Sequence, residues 1–344
     1  MNRKIKILNH SWHTSHQYHL MKTLAPLAEF WWLRQYKRPH SDKPRGVLPL
    51  GGMVNHYEPG FFDLALLHLD QQCLEPELWK RGKGRLYREL NEIITDIPKI
   101  VICHGTPYYP EQFPNDITND TFAKNGISSE LIGLLKEAVG ENTLVVNSHT
   151  AAKQWGFGTP IIHGLDPAEW WDLPKERRVV TMISPGGLDM YYDRQFFGAV
   201  RELLLDEHEI NLCHITVDWQ AADFDDYRNF LGRSLVYFNP TRESPMPRAR
   251  TEAMLSGACV ITTPNQDADT FIEDGVNGFI VRRDPTHAVK LIVWALKHYD
   301  EAKAIGQKGK QTAIERFGFN RYQEDWRALL SKVLGREIIK VNEQ

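Results

Sequence analysis

No apolar run in the 344 residues approaches the roughly 20 needed to cross a bilayer as a helix. The basic opening, "MNRKIKILNHSW", carries an apolar stretch too short for a secretory signal. The chain is therefore expected to be cytoplasmic. Cysteine is scarce: Cys73, Cys103, Cys213 and Cys259 are scattered, with no CxxC pair. That excludes a disulfide framework and a thiolate metal site; two of the four lie in apolar runs, as buried thiols do. Net charge is also small, at −3. What is present is an ordinary globular composition, 42% hydrophobic and 25% charged. The length suggests two domains. Charge is unevenly spread, since residues 1–50 hold nine Lys/Arg against two Asp/Glu. Such a bias is either a solvated face or an attraction to something anionic.

Short β-branched runs alternate with longer helix-like segments, the pattern of α/β chains with parallel sheets. Strands are expected at 4–8, 29–33, 63–69, 99–104, 143–148 and 160–164, with helices near 16–28, 76–95 and 129–139. The stretches 35–61 and 106–128 read as long loops, which in compact domains are usually functional or disordered. After the connector "LDPAEWWDLPKERR" a second α/β pattern begins. Its strands are expected at 179–184, 210–216, 234–240, 259–263 and 278–281, and its helices near 193–206, 247–256, 286–299 and 319–334. Ligands bind outside the carboxyl ends of strands in such sheets, so a cleft between the two domains is the default site.

One stretch is electrostatically odd. "TRESPMPRARTEAMLSGACVITTP" places Arg242, Arg248 and Arg250 around a helix start, where the dipole disfavours each cation by about 0.3–1 kcal/mol. An anion at that terminus would resolve the conflict, because its free N–H groups already form an anion site. Pro247 suits the first turn, where its missing N–H has no helical partner in any case. The plain alternative is an i,i+4 surface pair of Arg248 with Glu252, which contributes only ~0.2–0.5 kcal/mol.

The same stretch, continued by "FIEDGVNGFIV", resembles the two-glutamate signature of glycosyltransferase family 4, retaining enzymes of the GT-B fold. "LVVNSHTAAKQWGFGTPIIHGLDPAEWW" is similar to the family's Asn-Ser segment and the end of its first domain. "GKQTAIERFGFNRYQEDWRALL" is similar to its C-terminal segment. The resemblance covers most of residues 140–335. It implies an α/β GT-B fold of two Rossmann-like domains facing across a cleft. The first is an acceptor-side domain over 1–167 and the second a nucleotide-sugar domain over 168–318, with a helix over 319–344 crossing back to the first. Two departures stand out. Eight residues separate Glu243 from Glu252 where the family has seven, so Ser244 stands where the first glutamate falls in strict register. The Arg and Lys that usually follow the second domain's first strand are missing, and Arg194 is the nearest candidate.

The resemblance implies that Glu252 holds the ribose hydroxyls of a nucleotide, a task suited to two acceptor oxygens. Glu243, or Ser244 in its place, would touch the donor sugar. Arg248 and Arg250, with the amides from Met246 onward, would hold the diphosphate through charge-assisted bonds. His104 ends the strand "KIVICH" and is implied as an active-site histidine contacting the sugar. Gly186 and Gly187 follow a strand and either approach a phosphate or merely turn the chain. His10, His13, His16 and His19 stand three apart, which invites a metal reading. They cross a strand-to-helix turn without an accompanying carboxylate, so no metal is assigned. His13 and His16 are instead read as hydrogen-bond donors in the first-domain loop. Asp223-x-Asp225 precedes a helix and reads as a cap. Tyr108 and Tyr109 are read as stacking surfaces on the acceptor side.

The expected function is transfer of a sugar from a nucleoside diphosphate sugar to a hydroxyl, with retention, without metal and without a further cofactor. A glycan or lipid acceptor is favoured over nucleic acid, and residues 34–45 would touch an anionic surface, placing the protein at a membrane periphery. The alternatives are a catalytically inactive GT-B binding or scaffold protein and a nucleotide-sugar epimerase of the same fold. A phosphorylase is a further same-fold alternative, although no candidate lysine stands in a cofactor context.

Overall fold

The computed structural model describes residues 3–10, 12–34, 50–74, 82–108, 126–183, 191–214 and 221–340. They divide into two units. One holds the described residues up to Pro107, then Ser128–Gly164 and those from Phe319 on; the other holds Tyr108, Gly126, Ile127 and Leu165–Gly318.

The strands of the first unit are β1 (Ile5–Asn9), β2 (Ala28–Leu33), β3 (Leu50–Val54), β4 (Leu64–Leu69), β5 (Lys99–Cys103), β6 (Thr143–Val146) and β7 (Thr159–Pro160). They form one parallel sheet in the order β3-β2-β1-β4-β5-β6-β7. Its helices are α1 (Thr14–Leu24), α2 (Gly82–Ile93), α3 (Ser129–Val139) and α4 (His149–Trp155). Every residue of β4 is buried, as expected for a strand covered on both faces. The strand order reverses between β1 and β4, so the carboxyl ends of those two strands are the switch point where such sheets bind ligands.

The second unit carries β8 (Glu176–Thr181), α5 (Arg194–His208), β9 (Leu212–His214), α6 (Phe224–Arg233) and β10 (Ser234–Asn239). It continues with α7 (Arg248–Leu255), β11 (Cys259–Thr262), α8 (Ala268–Phe271), β12 (Phe279–Ile280), α9 (Pro285–Lys297) and α10 (Tyr299–Phe317). Its parallel sheet runs β12-β11-β10-β8-β9, with the switch point between β8 and β10. The last helix, α11 (Phe319–Leu334), packs in the first unit. There Tyr322 and Trp326 enter the core with Leu66, Ile100 and Val145. Arg321 donates to the carbonyls of Ile162 and His163 at 2.8 and 2.9 Å. Gly164 permits this approach, because a Cβ there would lie 2.4 Å from that of Tyr322.

The structure departs from the sequence expectation in two instructive places. β3 lies inside the stretch read as loop, and its glycines have a packing reason: a Cβ on Gly52 would stand 2.6 Å from the Trp31 ring. α10 lies where the sequence expectation has no element, and a Cβ on its Gly306 would come within 2.4 Å of the Gly257 carbonyl. All four cysteines are free. Among the described residues no helix is long and apolar enough to cross a membrane.

Candidate functional site

In the second unit, the apolar run "SLVYFN" makes β10 a fully buried central strand and delivers residues 240–247 to its carboxyl edge. That loop is fastened on both sides. The N–H groups of Arg242 and Glu243 donate to the Tyr191 carbonyl at 2.7 and 3.1 Å, tying it to the segment after β8. The Asn265 side chain accepts from Ser244 N at 3.2 Å and donates to Ser244 O at 2.8 Å. Pro247 then stands as the cap of α7, one position before the helix. Having no side-chain acceptor, it gives the first turn no side-chain cap of its own. Residues 249–255 of α7 are all buried, so this is a core helix and not the amphipathic surface helix that an Arg248–Glu252 pair would require.

Two carboxylates are buried here. Glu243 is 2% exposed, and its Oε1 accepts from Gln266 Nε2 at 2.6 Å. Glu252 is 3% exposed and accepts the Tyr227 hydroxyl at 3.0 Å on Oε2.

Cations match them. Arg250 is fully buried; its guanidinium lies 4.9 Å from the Phe271 ring centre, and Nη2 meets Met246 Sδ at 3.4 Å. Burial lowers its pKa to about 10. Its Nε and Nη1 have no hydrogen-bond partner among the described residues. Arg283, which follows β12, is 5% exposed in its side chain and pairs with Asp193 at 3.0 Å. Burial lowers it to about 10 as well, opposed by the Asp193 charge. Arg242 is likewise lowered by burial, and the charges of Asp193 and Glu243 work against that shift. Asp193 also caps α5, accepting from Phe196 N at 2.9 Å.

Sequence reasoning missed Tyr227, Gln266 and Arg283. Only Arg283 left a signal, an arginine at the carboxyl end of a strand. Met246 is buried and Ser244 half-buried, both in the clamped loop; Arg248 is half-buried at the first position of α7, and Arg194 is exposed at the first position of α5. Asp223 caps α6 by accepting from Asp226 N at 2.8 Å, and Asp225 pairs with Arg228. Gly186, Gly187, Tyr109 and, Arg34 apart, the stretch 34–45 lie outside the described residues.

The first unit gathers histidines at its switch point. His104 follows β5, and His68 is the one ionisable group in the apolar run of β4. His68 Nε2 meets Asn9 Oδ1 at 2.9 Å, and its Nδ1 meets His104 Nε2 at 3.0 Å. His104 Nδ1 stands 3.3 Å from Asn147 Nδ2. Full burial, then the neighbouring His10, His16 and His13, hold the His68 pKa well below its ordinary value, so His68 is neutral. Because an amide oxygen only accepts, the chain of bonds runs one way. Asn147 donates to His104, His104 Nε2–H donates to His68 Nδ1, and His68 Nε2–H donates to Asn9.

His16, buried on α1, joins them: one ring nitrogen from each of His16, His68 and His104 lies within 4.8 Å of the others. His13 is exposed, with its ring 5.8 Å from that of His104. His19 turns away and meets Phe319. Of the histidines of 10–19, His19 thus stands apart, while His10, His13 and His16 meet His68 or His104, which β4 and β5 bring from elsewhere in the chain. Tyr108 is also corrected. It is fully buried, with its hydroxyl pKa pushed up by burial and then by the Glu243 charge, and offers no exposed ring face for stacking.

Residues 194–328 match the family described as glycosyl transferase-like. No curated protein matches the chain. Among solved structures, it is similar to HepE from Anabaena in complex with UDP, at 14% identity and TM-score 0.61, over 96% of this chain and 100% of that one. Sucrose-phosphate synthase from Thermosynechococcus elongatus superposes at 12% identity and TM-score 0.63, over 97% and 100%. A glycosyltransferase from Rickettsia africae does so at 13% identity and TM-score 0.58, over 96% and 99%. These likenesses establish the fold, which is GT-B.

Proposed function

We propose that this chain is a retaining glycosyltransferase that moves a sugar from a nucleoside diphosphate sugar to a hydroxyl acceptor. The observation that carries the reading is the burial of both Glu243 and Glu252 in the segment that also carries Arg242, Arg248 and Arg250 around the start of α7. Glu252 accepts from the ribose hydroxyls, with Tyr227 holding one of its oxygens. Glu243, oriented by Gln266, accepts from a hydroxyl of the donor sugar, and Ser244 stands beside it. Arg242, Arg248 and Arg283 and the amides from Met246 onward take the diphosphate. Arg250 adds charge, its guanidinium held against the Phe271 ring and Met246 Sδ. The departing diphosphate develops negative charge as the sugar becomes cationic, and fixed donors in a water-poor site are worth most at that moment.

The bond from the anomeric carbon to the phosphate oxygen breaks, and the acceptor oxygen bonds the same carbon from the same face. The acceptor proton passes to the released phosphate. This step names no protein nucleophile and no magnesium or manganese, because the arginines meet the diphosphate charge. His104 is assigned to the sugar and His13 to the acceptor side, following the family resemblance. A glycan or lipid acceptor, and a peripheral position at an anionic surface through residues 34–45, complete the reading.

The test is thermal stability against a panel of nucleoside diphosphates and their sugars, with UDP first because HepE was solved with it. A ligand bound only by the folded state raises the midpoint by mass action. The expected result is a rise with one base, without added divalent ion, that disappears in Glu252→Ala. Turnover of that donor with an acceptor panel and the anomeric configuration of the product then establish transfer and retention. No rise with any nucleotide would overturn the donor site and favour a scaffold role.

A further inference from the structure

We infer that the first unit holds a divalent transition-metal site of the zinc class, formed by His16, His68 and His104. The three residues come from different elements, namely α1, β4 and the turn after β5. Their ligating nitrogens already lie within 4.8 Å of one another. Zinc bound at about 2.0–2.1 Å to each nitrogen in a tetrahedral arrangement calls for three such imidazoles with a fourth position left to water or another ligand. His68 and His104 nitrogens stand 3.0 Å apart, so an ion between them needs only small ring movements. Imidazole ligands suit zinc, copper, nickel and cobalt and discriminate against magnesium and calcium.

The surroundings are those of ligands held for a metal. A ligating histidine characteristically gives its other N–H to a fixed acceptor, and His68 Nε2 does so to Asn9 Oδ1 at 2.9 Å. For His104 the proton on Nε2 moves to Nδ1 as the metal takes its place. Asn147, 3.3 Å away, accepts it once its amide turns over, and amide orientation is set by the hydrogen-bond network. The shift leaves the number of protons on the His104 ring unchanged. Trp12 stacks on both rings, at 5.2 Å from His104 and 6.0 Å from His68, and shields one side of the cluster. Gly105 fixes the turn that carries His104. A Cβ there would meet Gln71 N at 2.7 Å, and the Trp155 indole donates to its carbonyl at 3.1 Å. The ion belongs to the first unit's histidines and not to a diphosphate; His104 is shared with the transfer reading, and the site is tested without substrate.

The experiment titrates the full chain, freed of metal by chelator and dialysis, with Co²⁺ and then with Zn²⁺. Expected is a visible ligand-field band of four-coordinate intensity saturating at one Co²⁺ per chain, bleached by Zn²⁺ and untouched by Mg²⁺. The band disappears in His16→Gln and in His104→Gln, each checked for folding by circular dichroism in the metal-free state. Asn9→Ala, which keeps all three ligands, weakens binding by about tenfold to a hundredfold. A wild-type chain that takes up no stoichiometric Co²⁺ or Zn²⁺ overturns the site, whatever the variants do. So does a band unchanged in both folded histidine variants.

Discussion

The Tyr227 hydroxyl lies 3.0 Å from Glu252 Oε2 and donates to it, joining α6 to α7 through the carboxylate assigned to the ribose. Glu252 therefore meets a ligand with Oε2 held in place by Tyr227. Tyr227→Phe removes the restraint but not the acceptor. A neutral hydrogen bond is worth about 1 kcal/mol net and one to a charged group about 1.5–3. Calorimetric affinity for the nucleoside diphosphate should accordingly fall by roughly tenfold. Glu252→Ala should abolish binding. Equal affinity in Glu252→Ala and the wild type would remove the ribose assignment.

Arg283 reaches the same unit from the far edge of its sheet and is fixed by Asp193 at 3.0 Å. Because Asp193 also caps α5, the arginine is held by a rigid group and keeps donors for an anion. Arg283→Met should lower kcat/KM by about a hundredfold, the usual cost of removing one preorganised charge-stabilising donor. Arg283→Lys should recover little, since a lysine lacks the planar fork. Steady-state kinetics with varied donor decide it: a loss below about threefold, the size of a surface-charge effect, would place the arginine in the structure alone.

Legibility in the sequence followed the reach of each interaction. The family resemblance singled out the two buried glutamates, while β10 and α7 could be read from one contiguous block, because a buried strand followed by a small-residue helix leaves a local apolar signature. Asp223 was legible as a cap for the same reason, its partner being Asp226. His68 was not, although a histidine inside "DLALLHL" is the kind of polar interruption that marks a functional strand. Its meaning depends on His104, 36 residues on, and on Asn9, 59 residues back. β3 and α10 were not read either; there Gly52 and Gly306 make room for a ring and a carbonyl inside the element.

Asp63 ties the first strand to the tail of the chain. It accepts from Arg3 at 2.7 and 2.8 Å, from Lys6 N at 2.9 Å and from Arg336 at 3.1 Å. Burial raises its pKa, but the Arg3 and Lys6 hydrogen bonds and the Arg3 and Arg336 charges outweigh it, and the net shift is downward. The folded state thus binds this proton less tightly than the unfolded chain. The stabilisation is complete above the unfolded value of about 3.9 and is lost as pH falls through the lower folded value. Urea midpoints measured from neutral pH into that acid range should drop more steeply for the wild type than for Asp63→Asn. Parallel curves would show that the cluster contributes nothing to acid sensitivity.

Lys175 offers a way to separate stability from function in the second unit. Its side chain is fully buried, yet its ammonium meets Asp172 at 3.1 Å, the Gly232 carbonyl at 2.6 Å and the Ser256 carbonyl. Those carbonyls belong to the C-terminal ends of α6 and α7, where helix dipoles favour a cation. One lysine therefore closes both helices that carry the Tyr227–Glu252 pair. Burial lowers its pKa, opposed by Asp172, so the charge is kept by its partners. Lys175→Met leaves two carbonyls and a carboxylate short of a donor. Asp172 retains Lys310 at 3.0 Å and Gln307 at 2.9 Å, which moderates the loss. The expected destabilisation is about 3 kcal/mol, from the lower end of the range for breaking a buried pair. Nucleotide affinity of the folded variant should stay within about twofold of the wild type, because the ammonium bonds the helix ends and Asp172 and not Tyr227 or Glu252, and sites without shared partners act nearly independently. Urea denaturation and calorimetry on the same preparation read both quantities. An unchanged midpoint would mean that water replaces the ammonium at no cost, and the capping role would be withdrawn.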